Sequence, residues 1–129
     1  YKTPVGIYKL DKLYYRNDRV KKPETKFKCI PIKKHMAWCN DVKSKENYNK
    51  PINIRKRVRH EKMYRFDGKY NLLIPIKYNF LKPKLGKGSA IFLHITKNFK
   101  PTAGCIALKE SDFLILLKLI NKKTKIIIK

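Results

Sequence analysis

The spacing of hydrophobic and polar residues along this chain predicts mostly β-strands. Residues 5–10 and 27–32 show short apolar alternation, which is typical of strands with one buried face. Residues 89–95 give the clearest strand prediction, because Ala90-Ile-Phe-Leu93 is a continuous apolar run that indicates burial on both faces of a sheet. His94 lies at the end of this predicted strand.

Three more strands are predicted in the second half of the chain. Residues 70–78 include the apolar run Leu-Leu-Ile at 72–74, which is typical of a buried strand. Pro75 places this strand near an edge or a bulge, because proline cannot donate to a β-ladder. Short strands are also expected at residues 105–108 and 125–129.

One amphipathic helix is predicted over residues 110–121. Five apolar side chains recur there at the spacing of a single helical face: Phe113, Leu114, Leu116, Leu117 and Ile120. Glu110 and Asp112 would lie in the first turn, where the helix dipole favours negative charge, and Asn121 suits the helix end.

The polar segments between these elements predict loops. Residues 35–51 are expected to form a long structured loop, residues 57–65 a short helix or turn, and residues 80–88 another loop. The pattern as a whole predicts a mainly β fold with one helix packed near its C-terminus. The length of 129 residues favours a single domain over residues 1–129.

The charge of the chain changes the list of expected partners. It carries 33 Lys and Arg against 9 Asp and Glu, a net charge of +24. This favours nucleic acid, an anionic membrane surface or a carboxylate-rich polymer such as peptidoglycan, unless the lysines are simply a solvated coat in a compositionally biased sequence. No nucleic acid is expected, because the chain shows no helix-turn-helix, zinc-finger spacing or RNA-binding aromatic pair.

Compartment signals are missing from the chain itself. No stretch approaches the roughly 20 apolar residues of a membrane span, and no secretion signal is visible. The chain opens at Tyr1 without a methionine, so we expect that an N-terminal precursor segment preceded it.

The cysteines allow more than one arrangement. There are three, so at least one is free unless chains are cross-linked. Cys29 and Cys39 either form a disulfide in an oxidising compartment or remain thiols. Together with His35 they match no common zinc spacing, so no metal is expected.

A cysteine and a histidine are candidates for nucleophilic chemistry. His94 and Cys105 are eleven residues apart, which is enough for a turn between two adjacent strands. An imidazole beside a thiol can take its proton and return it to a leaving amine. Gly104 leaves room for a substrate near the backbone. The spacing alone is weak, because cysteines are more often inert core residues.

Two segments resemble the catalytic signature of the YkuD-type L,D-transpeptidase family. They are Gly88-Ser-Ala-Ile-Phe-Leu-His94 and Pro101-Thr-Ala-Gly-Cys-Ile-Ala-Leu108. Upstream, Trp38-Cys-Asn-Asp41, Tyr48-Asn49 and Glu61-Lys-Met-Tyr-Arg65 resemble a compact bacterial branch of this family, so the resemblance runs from about residue 3 to the end.

Two positions depart from the family pattern. Ala103 stands where many members have histidine, and Ala107 stands where many have asparagine or arginine. The resemblance therefore retains the nucleophile and the base and leaves the choice of substrate open.

The resemblance implies a β-sandwich or mixed sheet with a C-terminal helix, and a cysteine acyltransferase without cofactors. Cys105 would be the nucleophile and His94 its base, oriented by the carbonyl of Ile95. Amides near Gly104, with Thr102, would hold the oxyanion. The implied substrate residues are Trp38, Asp41, Tyr48, Asn49, Glu61, Tyr64 and Arg65.

The implied reaction is cross-linking of peptidoglycan stem peptides through a thioester, in the periplasm or cell envelope. The alternatives are an L,D-carboxypeptidase of the same fold, or a basic domain that binds wall or nucleic acid without catalysis. The aromatic residues Trp38, Tyr48 and Tyr64 either line a substrate groove or pin the long loop to the core.

Overall fold

The computed structural model describes residues 4–96 and 105–129. These residues form ten strands and one helix, so the prediction of a mainly β fold is confirmed. Their order is β1 (Gly6–Lys9), β2 (Leu13–Tyr15), β3 (Cys29–Pro31), β4 (Met36–Cys39), β5 (Pro51–Asn53), β6 (His60–Lys62), β7 (Leu72–Pro75), β8 (Phe92–Ile95), β9 (Ile106–Leu108), α1 (Glu110–Leu119) and β10 (Lys125–Ile128).

A five-stranded mixed sheet organises the fold. Its strand order is β3-β2-β7-β8-β9, with parallel pairs at both edges and antiparallel pairs between them. Every residue of β8 is buried, as the continuous apolar run predicted. The reason is that both faces of the sheet are covered, one by α1 and the other by a second sheet.

Alternate residues of β8 belong to two separate cores. Leu93 packs in a cluster with Phe113 of α1, whereas Phe92 packs in a cluster with Trp38 of β4. Side chains two positions apart on a strand point to the same face. His94 therefore lies on the Phe92 face, between the two sheets, and not on the face covered by the helix.

The second sheet corrects two predictions made for polar segments. Strands β4, β5 and β6 form an antiparallel sheet in the order β5-β4-β6. The prediction of a continuous loop over 35–51 and of a helix or turn over 57–65 is therefore wrong. The side chains of β5 and β6 lie at least partly in solvent. Each strand has only three residues, too few to show a strand period, so pairing with the buried strand β4 decides their structure.

The strands next to β7 correct two more points. β2 has no predicted counterpart, because its three residues are all buried and so show no alternation. Of the two positions predicted from Pro75, near an edge or near a bulge, the edge is wrong, since β7 lies between β2 and β8. Pro75 occupies the last position of β7, where a missing N–H interrupts the ladder least.

The two ends of the described chain pair with each other. β1 and β10 form an antiparallel ribbon with Gly6 opposite Ile128, which confirms the terminal strands. The helix prediction is also confirmed, with Glu110 and Asp112 in the first turn and a C-cap at Ile120. Within residues 4–96 and 105–129, no helix combines the length and apolar character needed to cross a membrane.

The cysteine alternatives are decided by the two sheets. Cys29 lies on β3 of the five-stranded sheet, and Cys39 lies on β4 of the three-stranded sheet. Neither of them is in a disulfide, and Cys105 is not in one either. Of the two arrangements, the one in which Cys29 and Cys39 remain thiols is therefore observed.

Candidate active site

His94 has a buried imidazole in which one ring nitrogen is hydrogen-bonded and the other has no hydrogen-bond partner among the described residues. Its side chain is 1% exposed, and its Nδ1 lies 2.8 Å from the carbonyl oxygen of Ile95. A carbonyl oxygen only accepts hydrogen bonds, so Nδ1 carries the proton of the neutral ring. Nε2 has no hydrogen-bond partner among the described residues, which leaves its lone pair available to take a proton.

The surroundings of His94 keep the ring neutral near pH 7. Burial is the main cause that lowers its pKa below the ordinary value, because a charged ring would be poorly solvated there. The positive charges of Lys69 and Arg65 lower the pKa further, and the hydrogen bond to Ile95 opposes the shift. A neutral imidazole at neutral pH can act as a base.

Tyr70 packs against this imidazole. The two rings meet edge to face with centroids 5.7 Å apart, and the Tyr70 ring also meets Phe92 at 5.5 Å. Tyr70 is 1% exposed, and its hydroxyl has no hydrogen-bond partner with standard geometry among the described residues. The ring therefore limits how far the plane of His94 can turn.

Cys105 lies on the same sheet face as His94 because of the register between β8 and β9. These strands are parallel, with Leu93 opposite Ile106 and His94 opposite Ala107. Cys105 directly precedes β9, and side chains two positions apart share a face. The thiol of Cys105 and the imidazole of His94 therefore lie on the same face of the sheet.

The thiol of Cys105 rests in its protonated form. It is 9% exposed, and its Sγ donates a hydrogen bond to the carbonyl oxygen of Ala90 at 3.3 Å. Burial is the main cause that raises its pKa above the ordinary value, the charge of Glu61 raises it further, and a hydrogen bond from the Phe92 backbone opposes the shift. A base is therefore needed to generate the nucleophilic thiolate.

A cleft gives access to this thiol. Its volume is about 250 Å³, and Cys105 lies in its wall together with Tyr48. Three charged side chains, Arg59, Glu61 and Lys69, line the same cleft. Charges of both signs around a thiol favour a charged or zwitterionic ligand over an apolar one.

The structure brings only some of the substrate residues named from the sequence to this cleft. Tyr48 and Glu61 line it, and the Tyr48 hydroxyl accepts a hydrogen bond from the amide of Gly88 at 3.1 Å. Trp38 is 1% exposed and lies in the core, with its ring 5.3 Å from that of Phe92. Trp38 therefore fits the alternative in which it pins the segment to the core.

Three other residues from that group lie outside the cleft wall. Asp41 accepts hydrogen bonds from the amides of Lys43 and Arg59, and these bonds lower the pKa of its carboxyl. Tyr64 donates to Asp18 at 3.2 Å. Arg65 forms an ion pair with Asp67 at 2.6 Å. Asp41 thus acts on the cleft indirectly, by fixing the backbone at Arg59.

Asn49 lies beneath the cleft as a hydrogen-bonding hub. Its Oδ1 accepts from Trp38 Nε1 at 2.8 Å and from the amide of Ala90 at 3.2 Å. Its Nδ2 donates to the carbonyl oxygens of Tyr78 at 3.1 Å and Asn79 at 2.7 Å. Asn49 is 4% exposed and has φ 58°, a left-handed conformation that asparagine tolerates better than most residues. It fixes the backbone of Ala90, whose carbonyl oxygen accepts the hydrogen bond from the thiol of Cys105.

Replacing Asn49 with alanine is expected to lower the free energy of unfolding by about 2–4 kcal/mol, because two buried and two part-buried polar groups lose a partner. Urea unfolding of both proteins measures the change. The matched control is Asn17→Ala, since Asn17 is exposed and its loss is expected to cost less than about 0.5 kcal/mol. Equal stability of the two variants would contradict a structural role for Asn49.

Arg59, Lys69 and Tyr70 were not identified from the sequence. Two are cations in a chain with 33 Lys and Arg, so no local signal separates them from the solvated coat. Tyr70 immediately precedes a buried strand and has no motif of its own. Gly104 and Thr102, named for the oxyanion, lie outside the described residues.

Comparison with known proteins gives one match. The model of the YkuD family, described as an L,D-transpeptidase catalytic domain, matches residues 1–128 of the 129-residue chain. The comparisons with curated proteins and with solved structures found no match.

Proposed function

The chain belongs to the YkuD family of L,D-transpeptidase catalytic domains, and on that premise we propose that it cross-links peptidoglycan stem peptides through a thioester on Cys105. The observation that supports this most directly is the placement of Cys105. Its thiol lies in the wall of a charged cleft and on the same sheet face as His94. Nε2 of His94 has no hydrogen-bond partner among the described residues, so its lone pair can accept a proton.

In the acylation step, Cys105 gives its proton to Nε2 of His94 and attacks a carbonyl carbon next to a D-residue in the donor stem. A C–S bond forms and the C–N bond breaks, and the leaving amine takes the proton from His94. The carbonyl of Ile95 keeps the imidazole in the required tautomer. Amides near Gly104, with Thr102, would stabilise the oxyanion, as the family resemblance implies.

In the transfer step, an amine of a neighbouring stem attacks the thioester. A new amide bond forms, the C–S bond breaks, and the amine proton returns through His94 to the sulfur. The products are a cross-linked dimer of stems and the free thiol. Water in place of the amine would give the carboxypeptidase reaction of the same fold.

The charge of the protein fits a carboxylate-rich polymer as substrate. Arg59 and Lys69 lie in the cleft wall, and the whole chain carries +24. Such a field raises the local concentration of anionic stems and speeds their association. We place the reaction in the periplasm or cell envelope, where peptidoglycan is assembled.

The test is to incubate the protein with tripeptide, tetrapeptide and pentapeptide donors and to follow its intact mass. We expect a mass gain equal to the acyl group on the Cys105 peptide, followed by a cross-linked product. Cys29→Ser is the matched control, since Cys29 is half-buried outside the cleft and its loss should leave the adduct in place. No adduct with any donor would overturn the proposal, and hydrolysed donor without cross-links would favour the carboxypeptidase.

A further inference from the structure

Glu61 is a carboxylate without an ion-pair partner in a strongly cationic protein. The described salt bridges join Arg16 to Asp18, Arg65 to Asp67 and Lys118 to Glu24, and none includes Glu61. Asp41 is satisfied by backbone amides. Asp11, Asp41, Glu46, Glu110 and Asp112 take part in none of these salt bridges either, so it is the position of Glu61 in the cleft that sets it apart.

The location of Glu61 makes this more specific. It lies on β6, opposite Trp38 of β4, so its backbone is held by the second sheet. Its side chain is half-buried and lines the cleft that contains Cys105. No other carboxylate among the described residues lines this cleft, whereas Arg59 and Lys69 supply two cations.

The charge of Glu61 works against the nucleophile. After burial, it is the next cause that raises the pKa of the Cys105 thiol, so it disfavours the thiolate. It also raises the pKa of Tyr70, after burial, although the two side chains form no hydrogen bond with standard geometry. The charge of Glu61 does not favour the thiolate, but a carboxylate in the wall of this cleft is placed to bind a cationic ligand.

We propose that Glu61 binds the ammonium group of the acyl acceptor, so that the cleft selects an amine over water at the transfer step. This inference rests on the proposed function, because it concerns the fate of the thioester on Cys105. The acceptor is then a peptide stem that carries a free side-chain ammonium, such as one ending in a diamino acid. Its carboxylates face the two cations of the cleft wall, Arg59 and Lys69.

The proton balance of the step includes Glu61 only as a binding group. The ammonium loses one proton to solvent before it attacks the thioester. The C–N bond forms and the C–S bond breaks, and the second proton passes through His94 to the sulfur of Cys105. The carboxylate holds the acceptor nitrogen beside the thioester before and after that first proton leaves.

The experiment compares wild type, Glu61→Gln and Glu61→Asp on the same donor. Acyl-enzyme formation is followed by intact mass, and the partition between cross-linked and hydrolysed product is measured against the concentration of a tripeptide acceptor ending in a diamino acid. For Glu61→Gln we expect the half-saturating acceptor concentration to rise at least about tenfold, because a charged hydrogen bond is lost. Acylation by this variant should be at least as fast as in wild type, since the charge that raises the pKa of the Cys105 thiol is removed.

Glu61→Asp keeps the charge and should restore part of the acceptor preference. Glu46→Gln is the matched control, since Glu46 is an exposed acid outside the cleft and should partition as wild type does. Acylation with an unchanged partition in Glu61→Gln would overturn this inference alone. Absence of the acyl-enzyme in wild type would instead overturn the proposed function.

Discussion

Replacement of Cys105 by alanine is expected to abolish the acyl-enzyme and to lower cross-linking by at least about a thousandfold. No other thiol can take over, because Cys29 and Cys39 lie outside the cleft wall. The mass of the variant after incubation with donor should equal its mass before. Product formation is followed by chromatography of the stems.

The folded state of this variant must be measured as well. Cys105 is buried in the core cluster that contains Trp38 and Phe92, so loss of its sulfur costs about 1 kcal/mol of stability. Cys39→Ala removes a buried thiol from a strand of the second sheet and is the matched control for packing. A Cys105→Ala protein that still forms a thioester would require a different nucleophile and would contradict the assignment.

Replacement of His94 by glutamine is expected to slow acylation by about 10²- to 10⁴-fold, the usual contribution of a positioned general base. Glutamine approximates the size of the ring but cannot take a proton near pH 7. In wild type, kcat/KM should fall as the pH drops below the pKa of His94, which is lower than the ordinary value of 6.5. The variant should lose this acid limb, and an unchanged pH profile would exclude His94 as the base.

The same variant should remove an acid sensitivity of the folded state. The pKa of His94 is lower in the folded chain than its ordinary 6.5, so the unfolded chain binds this proton more readily. Stability is therefore unaffected by this group above pH 6.5 and declines as the pH falls below that value. Urea unfolding at two pH values should show the wild type losing more stability in acid than His94→Gln does.

Long apolar runs and regular periodicity were sufficient to predict several elements. The buried strand β8 and the helix α1 were both predicted, because a continuous apolar run and a helical stripe are strong local signals. The terminal strands β1 and β10 were also predicted, β1 from its short apolar alternation. The single domain over residues 1–129 stays a prediction.

The three-residue strands β2, β5 and β6 could not be predicted in this way. β5 and β6 exist because β4 offers them a backbone partner, and β2 is buried on all three residues. Pro75 could not reveal a central strand, since its missing N–H falls at the strand end. Pairing between distant segments depends on the whole fold, so it cannot be predicted from the local sequence of one strand.

The sequence by itself determined the family, through the segments around His94 and Cys105, and with it the expected nucleophile and base. Only the tertiary structure decided which of the other residues meet them. It placed Trp38 in the core and Asn49 beneath the cleft, and it brought Glu61 to the cleft wall near the thiol. The physical reason is that a motif fixes which groups are present, whereas the register and packing of separate sheets fix their distances, burial and charge environment.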